Sequence, residues 1–165
     1  MSTGPFAERN GWKLYAYHAF GDAFAVISDA VEGLKRKLPA TYQGHPKAKL
    51  LGRVAELILV EIPRDPNASV YRLGNTLGPA NRHWRRAMFL GHFRLFYRFS
   101  NAAKAIVYAW VNDEATLRKA GSQTDPYAIF NQRSYRGDPP DDWDGLFRKV
   151  GTASAAMRRR VHSDF

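Results

Sequence analysis

The hydrophobic period of this chain changes at Pro63, and that change constrains the fold more than any other feature. Before it, apolar residues recur every three or four positions: Phe24, Ile27, Val31 and Leu34 in "GDAFAVISDAVEGLKRKLP", then Leu50, Leu51, Val54, Leu57 and Ile58 in "KAKLLGRVAELILVEIP". That spacing lines one side of a helix. Basic residues near the end of the first helix complement its negative pole, and Pro39 with "QGHP" breaks it. The two segments predict an antiparallel helical hairpin over 21–63. After Pro63 the period falls to two. Residues 70–111 are rich in aromatic and branched side chains and are punctuated by "GN", "GPAN", "LG" and "SNAAK". This predicts antiparallel strands near 70–73, 84–90, 92–99 and 104–111. "GWKLYAYHAF", residues 11–20, alternates similarly and reads as a first strand.

After the sheet come a short helix near "DPYAIFNQRS", a break at Pro139–Pro140, and a last helix from Asp141 carrying Trp143, Phe147, Val150 and Met157. Helices thus fill 125–162. Helices gathered first and strands afterwards indicate an α+β architecture, with helices packed on one face of an antiparallel sheet. A chain of 165 residues is the size of one domain and buries about two-thirds of its unfolded surface. It has no cysteine, which excludes disulfides and thiol chemistry. "MSTGPFAERNGW" has no basic stretch leading into an apolar one, and the longest apolar run, "AIVYAWV", is too short for a bilayer. A cytoplasmic protein with no membrane partner is the expectation. No P-loop, dinucleotide glycine motif, nucleophile elbow or zinc spacing occurs, and the five histidines are scattered. Neither cofactor nor metal is expected.

The net charge of +10 is concentrated in one segment. Residues 66–112 carry no carboxylate but hold Arg72, Arg82, Arg85, Arg86, Arg94, Arg98 and Lys104. Such a field attracts polyanions, and the arginine fork matches phosphate oxygens. A solvated basic face is the plain alternative. In "GHFRLFYRFS" the alternation puts His92, Arg94, Phe96 and Arg98 on one side of a strand. With a turn centred on Gly91, Arg94 pairs with Met88 and Arg86 with Phe96, so Arg86 joins that side; a one-residue slip brings Arg85 there instead. A following hairpin about Ala102 sets Trp110 beside Arg94 and Tyr108 beside Phe96. The expected face is open, with arginines between rings, suited to phosphates and stacked single-stranded bases. Arg82, His83, Arg98 and Trp110 are its candidate RNA contacts. The alternative is arginines paired with carboxylates of flanking segments, or lying over the sheet edge.

Three stretches, "NGWKLYAYHAF", "FRLFYRFS" and "WVNDEATLRKAGSQTDPYAIFNQRSYRGDPPDDW", resemble the YhaV family of bacterial toxins, within the RelE-like superfamily of type II toxin–antitoxin systems. The similarity runs to about Trp143. It implies a RelE/ParE-like fold, with an N-terminal helical hairpin on a twisted antiparallel sheet and C-terminal helices. It also implies an endoribonuclease that cuts messenger RNA on the ribosome and is held inactive by a PrlF-type antitoxin. The implied chemistry is metal-free: the RNA 2′-hydroxyl attacks the adjacent phosphate, leaving a cyclic phosphate and a 5′-hydroxyl. Two other readings remain beside it. Some members of the superfamily poison DNA gyrase, and a basic face alone suffices for a non-enzymatic nucleic-acid-binding protein.

Such a reaction needs a base for the 2′-hydroxyl, positive charge for the phosphate and an acid for the leaving oxygen. Arginine suits the second role and not the first, because it does not give up its proton. By resemblance, Arg94 matches the arginine that contacts the scissile phosphate, with Arg85 or Arg86 supporting it from the preceding strand. His92 and His83 are candidates for proton transfer, histidine being the side chain that exchanges protons near neutrality, and equally for plain turn or surface residues. Related ribonucleases place a basic residue and then a tyrosine after the third strand. Here Arg118 is present but Ala120 stands at the tyrosine position, and Tyr127 is the nearest substitute. Asp113 and Glu114 are candidates for the base and equally for caps of the helix beginning at "EATLR". The terminal "MRRRVH" is either a solvated tail or a contact to ribosomal RNA, operator DNA or the antitoxin.

Overall fold

The computed structural model describes residues 4–74, 77, 82–112 and 125–164. Five strands form one sheet: β1 (Ala7–Arg9), β2 (Trp12–Ala16), β3 (Arg85–Phe89), β4 (Phe93–Ser100) and β5 (Ala105–Val111), in the order β1-β2-β5-β4-β3. The helices are α1 (His18–Lys37), α2 (Pro46–Glu56), α3 (Pro126–Tyr135), α4 (Trp143–Phe147) and α5 (Gly151–Asp164). α2 runs on through a wider turn, Leu57–Glu61, to Arg64. The helical hairpin expected over 21–63 is thus present as α1 and α2. α1 begins earlier, at His18, because Tyr17 is already the extended residue ahead of the helix.

The β1–β2 hairpin turns on Asn10 and Gly11, both at positive φ (52° and 82°), the pairing that a tight two-residue turn requires. β2 then lies parallel to β5, with Leu14 opposite Ile106 and Tyr15 opposite Val107. The sheet is therefore mixed rather than antiparallel. The reason is topological: β2 feeds α1, and the chain returns to its neighbour only after two helices and two further strands, a route long enough to reverse direction. No strand forms at 70–73. Ser69–Tyr71 is a single 3-10 turn, and Arg72 makes one isolated bridge to Arg85.

Helices cover both faces, which corrects the one-sided expectation. On one face, Leu14, Leu95, Tyr97, Ile106 and Tyr108 pack against Phe20 and Phe24 of α1, Val54 of α2, Ile58 of the wider turn, and Met157 and Val161 of α5. On the other, Tyr15, Trp84, Phe96, Val107 and Trp110 pack against Phe130 of α3, Leu146 of α4 and Val150. All seven residues of β5, "AIVYAWV", are buried. A strand apolar on successive residues needs cover on both sides. The single last helix expected from Asp141 is two, α4 and α5, divided around Val150, which fills the second core. Among the described residues no helix is long and apolar enough to cross a membrane.

The β3–β4 register is the one centred on Gly91: Met88 faces Arg94 and Arg86 faces Phe96. The β4–β5 register differs from expectation. Its loop leaves Ser100 opposite Ala105, and a bulge at Phe96–Tyr97 shifts the pairing again, so that Phe96 meets Trp110 and Tyr97 meets Tyr108. Trp110 is thus not beside Arg94, and Tyr108 belongs to the opposite core. A four-residue loop in place of an odd-numbered one changes which residues share a side.

Candidate active site

Two arginines converge on one phenol. β3 and β4 project Arg86 and Arg94 from the same side of the sheet, and α3 crosses over them with Tyr127 in its first turn. Arg86 Nη1 donates to the Tyr127 hydroxyl at 2.8 Å, and Arg94 Nε donates to it at 3.0 Å. Both guanidiniums also lie 5.8 Å from the centre of the Tyr127 ring. The phenol's oxygen lone pairs are thereby engaged, and its O–H points to the sulfur of Met88 at 3.9 Å, a weak acceptor. A hydroxyl in this state has a proton to donate and two cations beside it.

The surroundings hold this arrangement in place. Asp125 caps α3 by accepting from the Tyr127 amide at 2.9 Å. Phe130, one turn on, stacks on Phe96 at 4.2 Å with the rings 4° from parallel, and Phe96 meets Tyr127 edge-on at 5.8 Å. Arg94 curls back on the turn, its Nη1 donating to the carbonyls of Phe93 (3.1 Å) and Gly91 (3.4 Å). Asn112, 2% exposed, closes β5 and ties in the same turn: its Oδ1 accepts from the Arg94 amide at 2.6 Å, and its Nδ2 donates to the His92 carbonyl at 3.2 Å. A guanidinium has five N–H groups, so each arginine keeps donors beyond those engaged. Arg86 Nε is buried without a partner among the described residues.

The other sequence candidates scatter. Arg85 faces the opposite side, as the register dictates. It donates to the Arg82 carbonyl (2.7 Å) and Asn67 Oδ1 (3.0 Å) and lies over Phe99, and burial pulls its pKa down. Arg98 lies between the rings of Trp84 and Trp143 and donates to the Asp141 carbonyl. Burial lowers its pKa against the opposing charges of Asp141 and Asp142. His83 bonds Asp141 Oδ1 at 2.8 Å, which also accepts from the Trp84 indole at 3.1 Å. Trp110 is buried under Phe130 and Phe96, so the expected open face of rings is closed by α3. Arg82 and His92 are exposed, His92 in the β3–β4 turn two residues from Arg94. Asp113, Glu114, Arg118 and Ala120 lie outside the described residues. Among those described, no group of three or more His, Asp or Glu is placed to hold a metal ion.

A second polar cluster anchors the far end of α3. Tyr17 donates to Asp138 Oδ1 at 2.5 Å, His18 Nε2 lies 3.2 Å from the same oxygen, and Arg133 Nη2 lies 3.1 Å from Oδ2. Burial pushes the Asp138 carboxyl up, but the Tyr17 hydrogen bond and the charges of Arg133 and His18 outweigh it and hold it below the usual range.

The family model that matches residues 14–151 describes a toxin with endonuclease activity, of a toxin–antitoxin system. The chain is 41% identical over 143 residues to "Ribonuclease toxin YhaV" of Escherichia coli (strain K12), which covers 86% of this chain and 93% of that protein. "Toxin YhaV" of Escherichia coli O157:H7 matches over the same shares at the same identity. This chain belongs to the YhaV toxin family. It is therefore an enzyme, a toxin with endonuclease activity belonging to a toxin–antitoxin system. No solved structure matches it. Within this YhaV-family chain the matched region spans β3, β4, β5 and α3, so Arg86, Arg94 and Tyr127 all fall inside it. Asn112 and Asp138, which the reading of residues one by one passed over, fall inside it too. Asn112 had a signal: a polar residue ending a wholly apolar strand is one whose side chain can bond backbone.

Proposed function

We propose that this chain is a metal-independent endoribonuclease that cuts messenger RNA by internal attack of the 2′-hydroxyl. The meeting of Arg86 and Arg94 at the Tyr127 hydroxyl is the observation that carries this reading. The two guanidiniums neutralise charge gathering on the attacked phosphate, as preorganised donors aimed at developing charge do. The 2′-oxygen forms a bond to phosphorus, the bond to the 5′-oxygen breaks, and Tyr127 supplies the proton that the departing oxygen takes up. A 2′,3′-cyclic phosphate and a 5′-hydroxyl result. His92, exposed on the turn beside Arg94, is the candidate base for the 2′-hydroxyl, with Glu114 as the alternative and Arg118 as a further phosphate contact. Arg82, on the exposed approach to β3, is the remaining RNA contact. RNA as substrate is supported by the name of the Escherichia coli relative.

The order of helical hairpin, sheet and C-terminal helices supports a RelE-like fold. With it come two parts of the reading that rest on family resemblance: cleavage at the ribosome, and inhibition by a PrlF-type antitoxin. The test is primer extension on messenger RNA after induction of the wild type and of Arg94→Ala. Discrete 5′ ends in the wild type alone are expected. Their absence from the wild type overturns messenger RNA as the substrate and leaves the endonuclease activity directed at another nucleic acid. Their persistence in Arg94→Ala overturns the site.

A further inference from the structure

The row that begins at Tyr127 does not stop there. Residues four apart on a helix stand one above the other, and on α3 that row reads Tyr127, Asn131, Tyr135. Tyr127 is half-buried in the site, whereas Asn131 and Tyr135 face solvent, and Tyr135 is 92% exposed. An aromatic ring left so bare on a helix otherwise packed against the second core has no role in holding the fold. Beside it, Asn131, Gln132, Tyr135 and Arg136 line a shallow hollow of about 550 Å³. Arg136 ends α3, its Nε donating to the Gln132 carbonyl at 3.4 Å and the rest of its guanidinium turned outward.

We propose that this hollow is a nucleotide-binding subsite that holds single-stranded RNA flanking the cleaved bond. The inference rests on the ribonuclease reading and extends it. The lining groups suit the parts of a nucleotide. The Tyr135 ring offers a stacking surface to a splayed base. The Gln132 amide presents donor and acceptor together, the pattern that reads base edges. Arg136 supplies charge for a phosphate. From Tyr127 to Tyr135 the helix rises about 12 Å at ~1.5 Å per residue. At ~3.4 Å per stacked nucleotide that spans three or four nucleotides. The helix continues the arginine site without a carboxylate between Pro126 and Arg136, so no charge on it repels an RNA backbone.

The experiment measures fluorescence anisotropy with the Tyr127→Phe protein, in which cleavage is slowed about 10²- to 10⁴-fold on the proposed mechanism, carrying Tyr135→Ala, Tyr135→Phe or neither. Two labelled RNAs are used, a dinucleotide covering only the scissile phosphate and a 12-mer. Stacking contributes about 1–3 kcal/mol per base, so Tyr135→Ala should weaken 12-mer binding about 5- to 150-fold. Dinucleotide binding should be unchanged, and Tyr135→Phe should restore the 12-mer. Unchanged 12-mer binding overturns the subsite, and so does an equal loss for both RNAs. A variant that keeps RNA affinity but loses the antitoxin overturns it as well and assigns the hollow to the antitoxin. The ribonuclease reading is judged separately, by whether discrete 5′ ends appear on messenger RNA after induction of the wild type.

Discussion

At the scale of single residues, Tyr127 is a structural strut and, on the proposed mechanism, a proton source, and the two roles separate by substitution. Tyr127→Phe keeps the ring against Phe96 and removes only the hydroxyl. Cleavage should fall about 10²- to 10⁴-fold, the usual worth of a positioned acid, with the melting temperature nearly unchanged. A stopped assay on a defined RNA measures it, and a fall below threefold would remove Tyr127 from the chemistry. Arg94→Lys should not rescue Arg94→Ala, because an ammonium cannot bond the phenol, the turn carbonyls and a phosphate together as the fork does. Since the proposed charge stabilisation comes from guanidiniums, EDTA should leave the rate unchanged. Loss of cleavage on chelation in a reaction without ribosomes would point instead to Asp113 and Glu114 as metal ligands.

At the scale of elements, the site depends on where α3 sits. Phe130 is fully buried among Trp84, Phe96 and Trp110, and Phe130→Ala should cost about 3–5 kcal/mol of stability, as for other buried aromatic truncations. Asn112→Ala leaves the turn amide and carbonyl unmet and should cost about 1–3 kcal/mol. Urea titrations would measure both, and a change under 0.5 kcal/mol in Asn112→Ala, on the order of an ordinary surface substitution, would mean that the turn holds itself. The Asp138 cluster fastens the other end of α3 to the start of α1. Its carboxyl is held below the ordinary aspartate range, so the folded state binds this proton less readily than the unfolded one. Its stabilising contribution is present above about pH 4, the unfolded value, and fades as pH falls through the lower folded value. Asp138→Asn should therefore be less stable than wild type at neutral pH, with the difference shrinking in acid. A constant difference across the range would show that Asp138 acts through shape rather than charge.

At the scale of the whole molecule, on the ribonuclease reading, the excess of positive charge sets how RNA is drawn in. Affinity for single strands should fall with salt, with a logarithmic slope of about −0.7 per phosphate neutralised. Arg94→Ala and Arg136→Ala should each flatten that slope by about one such step, and a titration of binding against salt concentration would read it. Much of the plan was legible from residue order. The period change at Pro63 marked the helical hairpin, and a turn at Gly91 offered the register that joins Arg86 to Arg94 as one of two, because side-chain alternation and turn position are local properties of the backbone. The position of Trp110 was not legible, since a bulge at Phe96–Tyr97 and a longer loop shift pairing through contacts made only once the strands meet. Nor was the parallel neighbour of β2. The sequence by itself determined that β3 and β4 bring cationic side chains together, with Arg86 or, by a one-residue slip, Arg85 beside Arg94; the strand pairing decided for Arg86. Only the tertiary structure decided that α3 closes over them, because bringing Tyr127 to Arg86 and Arg94 depends on packing Phe130 against rings far away in the chain, and no local spacing encodes that meeting.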